Sequence, residues 1–450
     1  MDDLLSDGTQ RLVERFTQMV QTLTQQAAQI NSPAQVRLLE SSLRTRGREL
    51  LCDLLGQLLQ TAIDQQQEQL RLCPACPHQR RRHQGLRLRR LESSLGQVVL
   101  RGIYWACPCC PSRQHSAELV DDQQITHLFK DMLVLAGVAS TSFDKAQILS
   151  RELLGVDADD EAIRQLCLHE GRRAQAPSCP VMPEGGQLLG SCDGTMVNTR
   201  EDGWRELKAL RFEQVPHAGE SGDVQATAAT AQIANEISLS ARSASQARVR
   251  YAGAYLENAQ AFAPRLRQAA EHLGQHQAGR CVFVSDCAEW ITHAVRDQLP
   301  GFVHVADYFH ACQHVHQAAE AVYGQGNWRA RQWSASLSRR LREQGAARLS
   351  DKLRRLALFY ADLGHQRAVL DLCKYLDKHA ARMDYPRFEA RNMPIDSGAM
   401  ESFCKQLGLR LKGPGMRWST RNVTAMARLV SRWAVDPQHA FSNSQAIAAA

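Results

Sequence analysis

A chain of 450 residues with 44% hydrophobic and 22% charged side chains is too long for one core, and two to four soluble globular domains are expected. No apolar run approaches the roughly 18–20 residues of a membrane span, and Met1-Asp2-Asp3-Leu4 lacks the parts of a signal peptide, so membrane partners are excluded and a cytoplasmic location is expected. The net charge of +7 lies mainly in Arg, and its placement matters more than its total.

Residues 8–30 and 35–70 carry apolar side chains at three- and four-residue spacing, separated by Asn31-Ser32-Pro33. That pattern predicts a helix pair, an N-terminal helical region over 1–70. The composition changes at Cys73. Cys73-Pro74-Ala75-Cys76 and Cys107-Pro108-Cys109-Cys110 flank short alternating runs such as Gln97-Val98-Val99-Leu100, the form of a zinc ribbon over 71–120. Tetrahedral zinc needs four thiolates, and Cys73, Cys76, Cys107 and Cys110 have the best spacing, with Cys109 spare or replacing Cys110. Such a Zn²⁺ is structural, because four thiolates leave no open coordination position. Most of the other cysteines, among 14 in all, stand singly in apolar segments such as Leu166-Cys167-Leu168 and read as reduced core thiols of a cytosolic protein. Between the knuckles run Arg80, Arg81 and Arg82, then Arg87, Arg89 and Arg90. Seven Arg fall within residues 71–90 with no acid among them, which points to phosphate contact.

Residues 121–186 form a helix-turn-helix-like connector and linker. Ser142 through Leu154 gives one short helix, Gly155-Val156-Asp157-Ala158 a turn, and Asp159 through Glu170 a second helix. Asp159, Asp160 and Glu161 suit a helix N-terminus but not a DNA backbone, so the unit is either structural or base-reading. Pro177, Pro180, Pro183 and Gly185-Gly186 follow as the linker.

From Gln187 strands and helices alternate, an α/β core over 187–316. Strands are expected at Leu188–Asp193, Glu206–Val215, within Ala226–Ile237, at Cys281–Asp286 and at Phe302–Ala306. Helices are expected at Gly253–Leu273, Ala288–Leu299 and from Asp307. An all-helical insertion occupies 317–395, rich in Arg, and the core resumes over 396–450 with a helix holding Glu401 and another at Thr420–Trp433.

Two apolar strands that each finish on an acid, Asp193 and Asp286, and a helix that offers Glu401 can bring three carboxylates to one point. Like charges that close repel unless cations neutralise them. Two divalent metals, Mg²⁺ or Mn²⁺, about 3.5–4 Å apart would then clamp the attacking and leaving oxygens of a phosphoryl transfer. Asp307 ends its own strand and competes with Asp286 as the second ligand.

Asp193-Gly194-Thr195, Ser285-Asp286-Cys287-Ala288-Glu289-Trp290-Ile291, Asp307-Tyr308-Phe309-His310 and the run from Ser397-Gly398-Ala399-Met400-Glu401-Ser402 to Arg410-Leu411-Lys412-Gly413-Pro414-Gly415-Met416-Arg417-Trp418-Ser419 resemble the ISKra4 type of bacterial insertion-sequence transposase. The Mutator-like and IS256-like groups are more distant relatives of that type. The likeness runs from the ribbon to about Trp433. It implies an RNase H-like core with a DDE triad of Asp193, Asp286 and Glu401, and a His signature at Asp307-x-x-His310. It departs at Cys287, where a Gly often follows the aspartate. The implied activity is metal-dependent cleavage and strand transfer on double-stranded DNA, both transposon ends and target, by a homodimer or higher oligomer that is nucleoid-associated when bound. Lys412 and Arg417 join Arg80, Arg81, Arg82 and Arg87 as candidate DNA contacts. The rivals are a non-catalytic zinc-ribbon and helix-turn-helix DNA-binding regulator, and an RNase H-like nuclease that cleaves without joining.

Overall fold

The computed structural model of the chain describes residues 2–67, 69–76, 79–119, 124–174, 185–215 and 250–437. These residues make a mixed α/β protein of two compact units, one up to Cys167 and one from Leu168 onward. The boundary between the units falls inside a helix. Pro177, Pro180 and Pro183 of the expected linker, and the strand expected within Ala226–Ile237, lie outside the described residues.

In the first unit the predicted helix pair is α1 (Asp2–Ala27) and α2 (Pro33–Gln66). Pro33 opens α2 where its missing N–H costs nothing. The ribbon is a three-stranded antiparallel sheet of β1 (Arg82–Ser93), β2 (Gly96–Ala106) and β3 (Arg113–His115), in that order. Val98 and Leu100 of β2 alternate with exposed Gln97, Val99 and Arg101, and the buried set meets Ile63 of α2 and Leu91 of β1. There follow α3 (His127–Ala139), α4 (Phe143–Leu149) and a π-helical turn at Ser150–Leu154. Gly155 comes next, with φ of 66°, and leads to α5 (Asp160–Arg173). A Cβ at Gly155 would collide with the Arg48 guanidinium, which donates to the Leu154 carbonyl at 3.1 Å. Glycine is favoured there for its φ, and a side chain would also have to displace the Arg48 guanidinium.

The basic strip is not the uniform surface that the sequence suggests. Arg80, Arg82 and Arg87 are exposed, and Arg87 lies 4.4 Å over the Tyr104 ring. Arg81 is instead buried. Its guanidinium donates to Gln114 Oε1 at 2.9 Å and to Ser112 Oγ at 2.8 Å, tying the start of β1 to the segment that leads into and forms β3.

The second unit is built on one five-stranded sheet of β4 (Gln187–Thr199), β5 (Gly203–Val215), β6 (Arg250–Tyr255), β7 (Arg280–Ser285) and β8 (Val303–Ala306). The strand order is β6-β5-β4-β7-β8; β4, β5 and β6 are antiparallel neighbours, whereas β4, β7 and β8 run parallel. The remaining helices are α6 (Ala259–His272), α7 (Glu289–Gln298), α8 (Tyr308–Tyr323), α9 (Trp328–Ala357, two helical segments joined by a kink at Gly345), α10 (Leu363–Lys378), α11 (Tyr385–Glu389), α12 (Gly398–Leu411) and α13 (Thr420–Val435). One sheet face packs Leu188, Cys192, Leu210 and Phe283 against Phe262, Leu266 and Ile291 of α6 and α7. The other packs Val282, Val284 and Val305 against Ala311 and Val315 of α8 and the helices that follow. The helical insertion thus starts from the second face.

Two expectations are corrected. β4 does not end on Asp193 but runs on to Thr199, because its hairpin with β5 stays in register through Thr199↔Gly203. The stretch from Gly253 is not helical at its start: Tyr251-Ala252-Gly253-Ala254-Tyr255 pairs with β5 as β6. The helix waits for Asn258, whose side chain accepts the Ala261 N–H at 2.8 Å and caps α6.

The Arg81 side chain provides a test of the first unit. Arg81→Ala should lower its unfolding free energy by about 2–3 kcal/mol, the scale of charge-assisted hydrogen bonds lost from a buried site. Arg80→Ala, at an exposed position, should stay within about 0.5 kcal/mol in the same urea titration.

Candidate functional site

Two clusters of chemistry-bearing side chains stand out, one in each unit. In the first, the sulfurs of Cys73, Cys76, Cys107 and Cys110 lie within 4.8 Å of one another, the only such group of three or more potential ligands among the described residues. Cys73 Sγ and Cys110 Sγ are 3.6 Å apart. Cys109 is exposed and outside the cluster, and its N–H donates to Cys107 Sγ at 3.4 Å, which decides between it and Cys110. Burial raises the Cys73 thiol, but the Ala75 N–H and the Cys110 and Cys107 thiols outweigh it and bring it down to about 6. Cys76 is pushed the other way, to about 12, by its hydrogen bond with Cys110, by burial and by Cys107. Four thiols this close cannot all ionise unaided, and a tetrahedral cation resolves that conflict, so the cluster could hold a structural zinc ion.

In the second unit, β4 and β7 pair in parallel up to Ser191↔Val284. Continuing that register by two residues sets Asp193 beside Asp286 on the face that carries the helical insertion. Asp193 Oδ1 accepts the Gly194 N–H at 2.7 Å, and Asp286 Oδ1 accepts the Ala288 N–H at 2.9 Å. Burial raises the Asp193 carboxyl above its ordinary range, the Gly194 N–H pulls it back, and the Asp286 charge raises it again. His310 and the Cys404 thiol lower it. Cys404 lies on α12 one turn beyond Glu401, so α12 faces Asp193 with that side. Glu401 itself is 65% exposed and paired with Lys405 at 2.9 Å, so it belongs to the neighbourhood of the two aspartates without joining them.

Asp307 has a different position. It is buried, its Oδ1 accepts the His310 N–H at 3.0 Å and caps α8, and its Oδ2 accepts the Ser397 N–H at 2.7 Å and the Ser397 hydroxyl. Its carboxylate is consumed in fastening the start of α8 to the start of α12. Cys287, where the family resemblance leads one to look for Gly, has φ of 62°, a left-handed conformation that glycine adopts without strain. Lys412 and Arg417 are exposed on the turn after α12.

Sequence reasoning missed the side chains that α8 and α10 bring toward Asp286. His314 stacks on Tyr375 at 3.9 Å, and His379 lies 5.1 Å from the same ring. Burial lowers His314, and His310 adds to this, while the Asp286 charge opposes it. His379 is lowered to about 4 by burial, Arg382 and Lys378, again with Asp286 opposing. The available signal was the four-residue spacing of His310 with His314 and of Tyr375 with His379, which puts each pair on one helix face. Compared with known proteins, the chain matches no family model and no curated sequence.

Elemental analysis of the purified protein should find about one zinc per chain. Cys76→Ser should lose the metal and destabilise the first unit, whereas Cys109→Ser should keep both.

Acid should weaken the second unit. Burial, with Arg382 and His379, holds His304 down to about 3, and His379 stands at about 4. The unfolded imidazoles titrate near ~6.5. Between these values the unfolded state binds more protons, so stability is full above about 6.5 and falls as pH drops toward 4 and 3. Unfolding midpoints measured across that range should show the slope, and His304→Asn should flatten it.

Proposed function

We propose that the second unit is an RNase H-like core that performs metal-dependent phosphoryl transfer on DNA, cleavage and strand transfer of the DDE type, as the resemblance to ISKra4-type transposases implies. The observation that carries this reading is that Asp193 on β4 feels the charge of Asp286, the residue after its parallel neighbour β7, while the Asp307 carboxylate is taken up by His310 and Ser397. Burying one carboxylate beside another raises the energy of the doubly charged state, and a divalent cation between them removes that cost. The strand order β6-β5-β4-β7-β8, antiparallel from β6 to β4 and parallel from β4 to β8, with helices on both faces, supports this reading.

Asp193 and Asp286 would hold Mg²⁺ or Mn²⁺, with Glu401 as the third carboxylate once it leaves Lys405. The bound cations supply activation of the attacking hydroxyl and stabilisation of the leaving 3′-oxygen. The chain's own groups do the rest. The Cys404 thiol, which lowers the Asp193 carboxyl, would help to orient it. His310, fixed at the first turn of α8 by the Asp307 cap, stands near Asp193 to meet the scissile phosphate. Arg80, Arg82 and Arg87 of the first unit, and Lys412 and Arg417 of the second, would contact DNA phosphates, with the salt dependence that counterion release imposes. Double-stranded DNA and a second copy of the chain are the partners of this reading.

Asp193→Asn, Asp286→Asn and Glu401→Gln should each abolish Mg²⁺-dependent nicking and joining of plasmid DNA while leaving DNA affinity within about threefold. Asp307→Ala should instead lower thermal stability, by about 1–3 kcal/mol for the lost cap and the orphaned Ser397 N–H. Cleavage by Asp286→Asn, together with none by a folded Asp307→Asn, would move the second ligand to Asp307.

A further inference from the structure

At the start of α9, away from the carboxylates in sequence, a groove of about 310 Å³ is lined by Tyr323, Trp328, Arg329, Gln332 and Trp333. Its walls are aromatic. The Tyr323 and Trp333 rings meet edge to face at 5.7 Å, and Trp328 is 61% exposed with the Arg329 guanidinium 5.5 Å from its ring centre.

The groove is held in shape by the turn before it. Gly324 and Gly326 have φ of 92° and 72°, values open to glycine. Asn327 Nδ2 donates to the Tyr323 carbonyl at 2.7 Å, and Asn327 Oδ1 accepts the Arg329 N–H at 2.9 Å. Arg331 donates to the Gly326 carbonyl at 3.3 Å. Trp328 is thus presented to solvent by a braced turn, although burying a ring of that size would be worth more than leaving it wet.

Charge says what fits. None of the lining residues is acidic, and α9 carries nine basic residues against two acids. That field repels a cationic ligand, which rules against the cation-binding use of an aromatic cage. It attracts a flat group that comes with negative charge attached. At the small end of ligand pockets, about 300 Å³, the groove suits a single planar group.

The geometry points to a base-stacking site: the groove takes one unpaired nucleobase of a DNA strand whose phosphates run along the α9 arginines. The assignment rests on the DNA reading above and extends it from phosphate contact to bases out of the duplex. Stacking on Trp328 explains an exposed ring, and Arg329 adds a cation–π partner and a phosphate contact.

The test uses the full chain, a labelled oligothymidylate, an abasic strand of equal length and a duplex, all at one salt concentration. Trp328→Ala should weaken oligothymidylate binding about ten-fold, or ~1.4 kcal/mol. Trp328→Phe, which keeps a stacking face, should stay within about threefold. Abasic strand and duplex should bind wild type and Trp328→Ala alike. Equal oligothymidylate affinity in wild type and Trp328→Ala would overturn the assignment, as would an equal loss on the abasic strand. A proline-rich peptide that binds wild type but not Trp328→Ala, with oligothymidylate unaffected, would give the groove to a protein partner instead. If wild type binds neither strand nor duplex, the DNA reading itself falls and the base site with it; if it binds both and Trp328→Ala binds equally well, only the base site falls.

Discussion

Asp307 is the fixed point of the second unit. A buried carboxylate is tolerable only if its charge is met by donors, and here the His310 N–H, the Ser397 N–H and the Ser397 hydroxyl meet it. Those donors come from segments far apart in sequence, and the whole helical insertion lies between them. One side chain therefore decides where α8 leaves the sheet and where α12 begins. Both helices bear on Asp193: α8 delivers His310 and α12 delivers Cys404, while Glu401 on α12 stays exposed and paired with Lys405. An Asp at this place that bound metal would have to surrender those fastenings, which is the physical reason for reading Asp286 and Asp307 as different in kind although each follows a parallel strand.

The thiol cluster was legible in the sequence because its signal is local: two knuckles of Cys-x-x-Cys can be seen within a few residues. What escaped notice depends on partners distant in sequence. β4 was cut short at Asp193 because the polar residues after it look like a turn, whereas pairing with β5 carries the strand on to Thr199. Arg81 looked like its neighbours Arg80 and Arg82, and only the positions of Gln114 and Ser112 set it apart. The spacings put His310 with His314, and Tyr375 with His379, on one face each, but the approach of His314, Tyr375 and His379 to Asp286 depends on how α10 folds back against α8, which those spacings do not encode.

The ribbon and the core solve the stability problem by different means. The core buries residues on both faces of its sheet, in two separate clusters. The ribbon's own cluster is Ile63, Leu91, Val98, Leu100 and Ala117, and one of these is lent by α2. So small a core contributes little against chain entropy, and small units of this kind commonly need a cross-link. Arg81 and the four thiols sit at the end of the sheet that this cluster does not reach. A metal there would act as the missing part of the core, which is why its expected role is structural although the chemistry proposed for the protein lies elsewhere.

Charge follows the same division of labour. The whole chain has a formal net charge of +7, and α9, with nine basic residues against two acids, accounts for as much by itself. The rest of the protein sums to zero, although residues 71–90 of the ribbon carry seven Arg and no acid, so the insertion and the ribbon are the two places where positive charge is concentrated. Arg342 is tied to Glu389 and Arg354 to Asp377, but Arg339 and Arg340 before the Gly345 kink, and Arg348 and Arg355 after it, are exposed. On the function proposed above, a field concentrated on the insertion would draw a phosphate backbone toward the carboxylate-bearing face, while two carboxylates set side by side would repel the same backbone until a cation is bound. Attraction by the insertion and repulsion at the site would together make productive engagement of DNA conditional on metal.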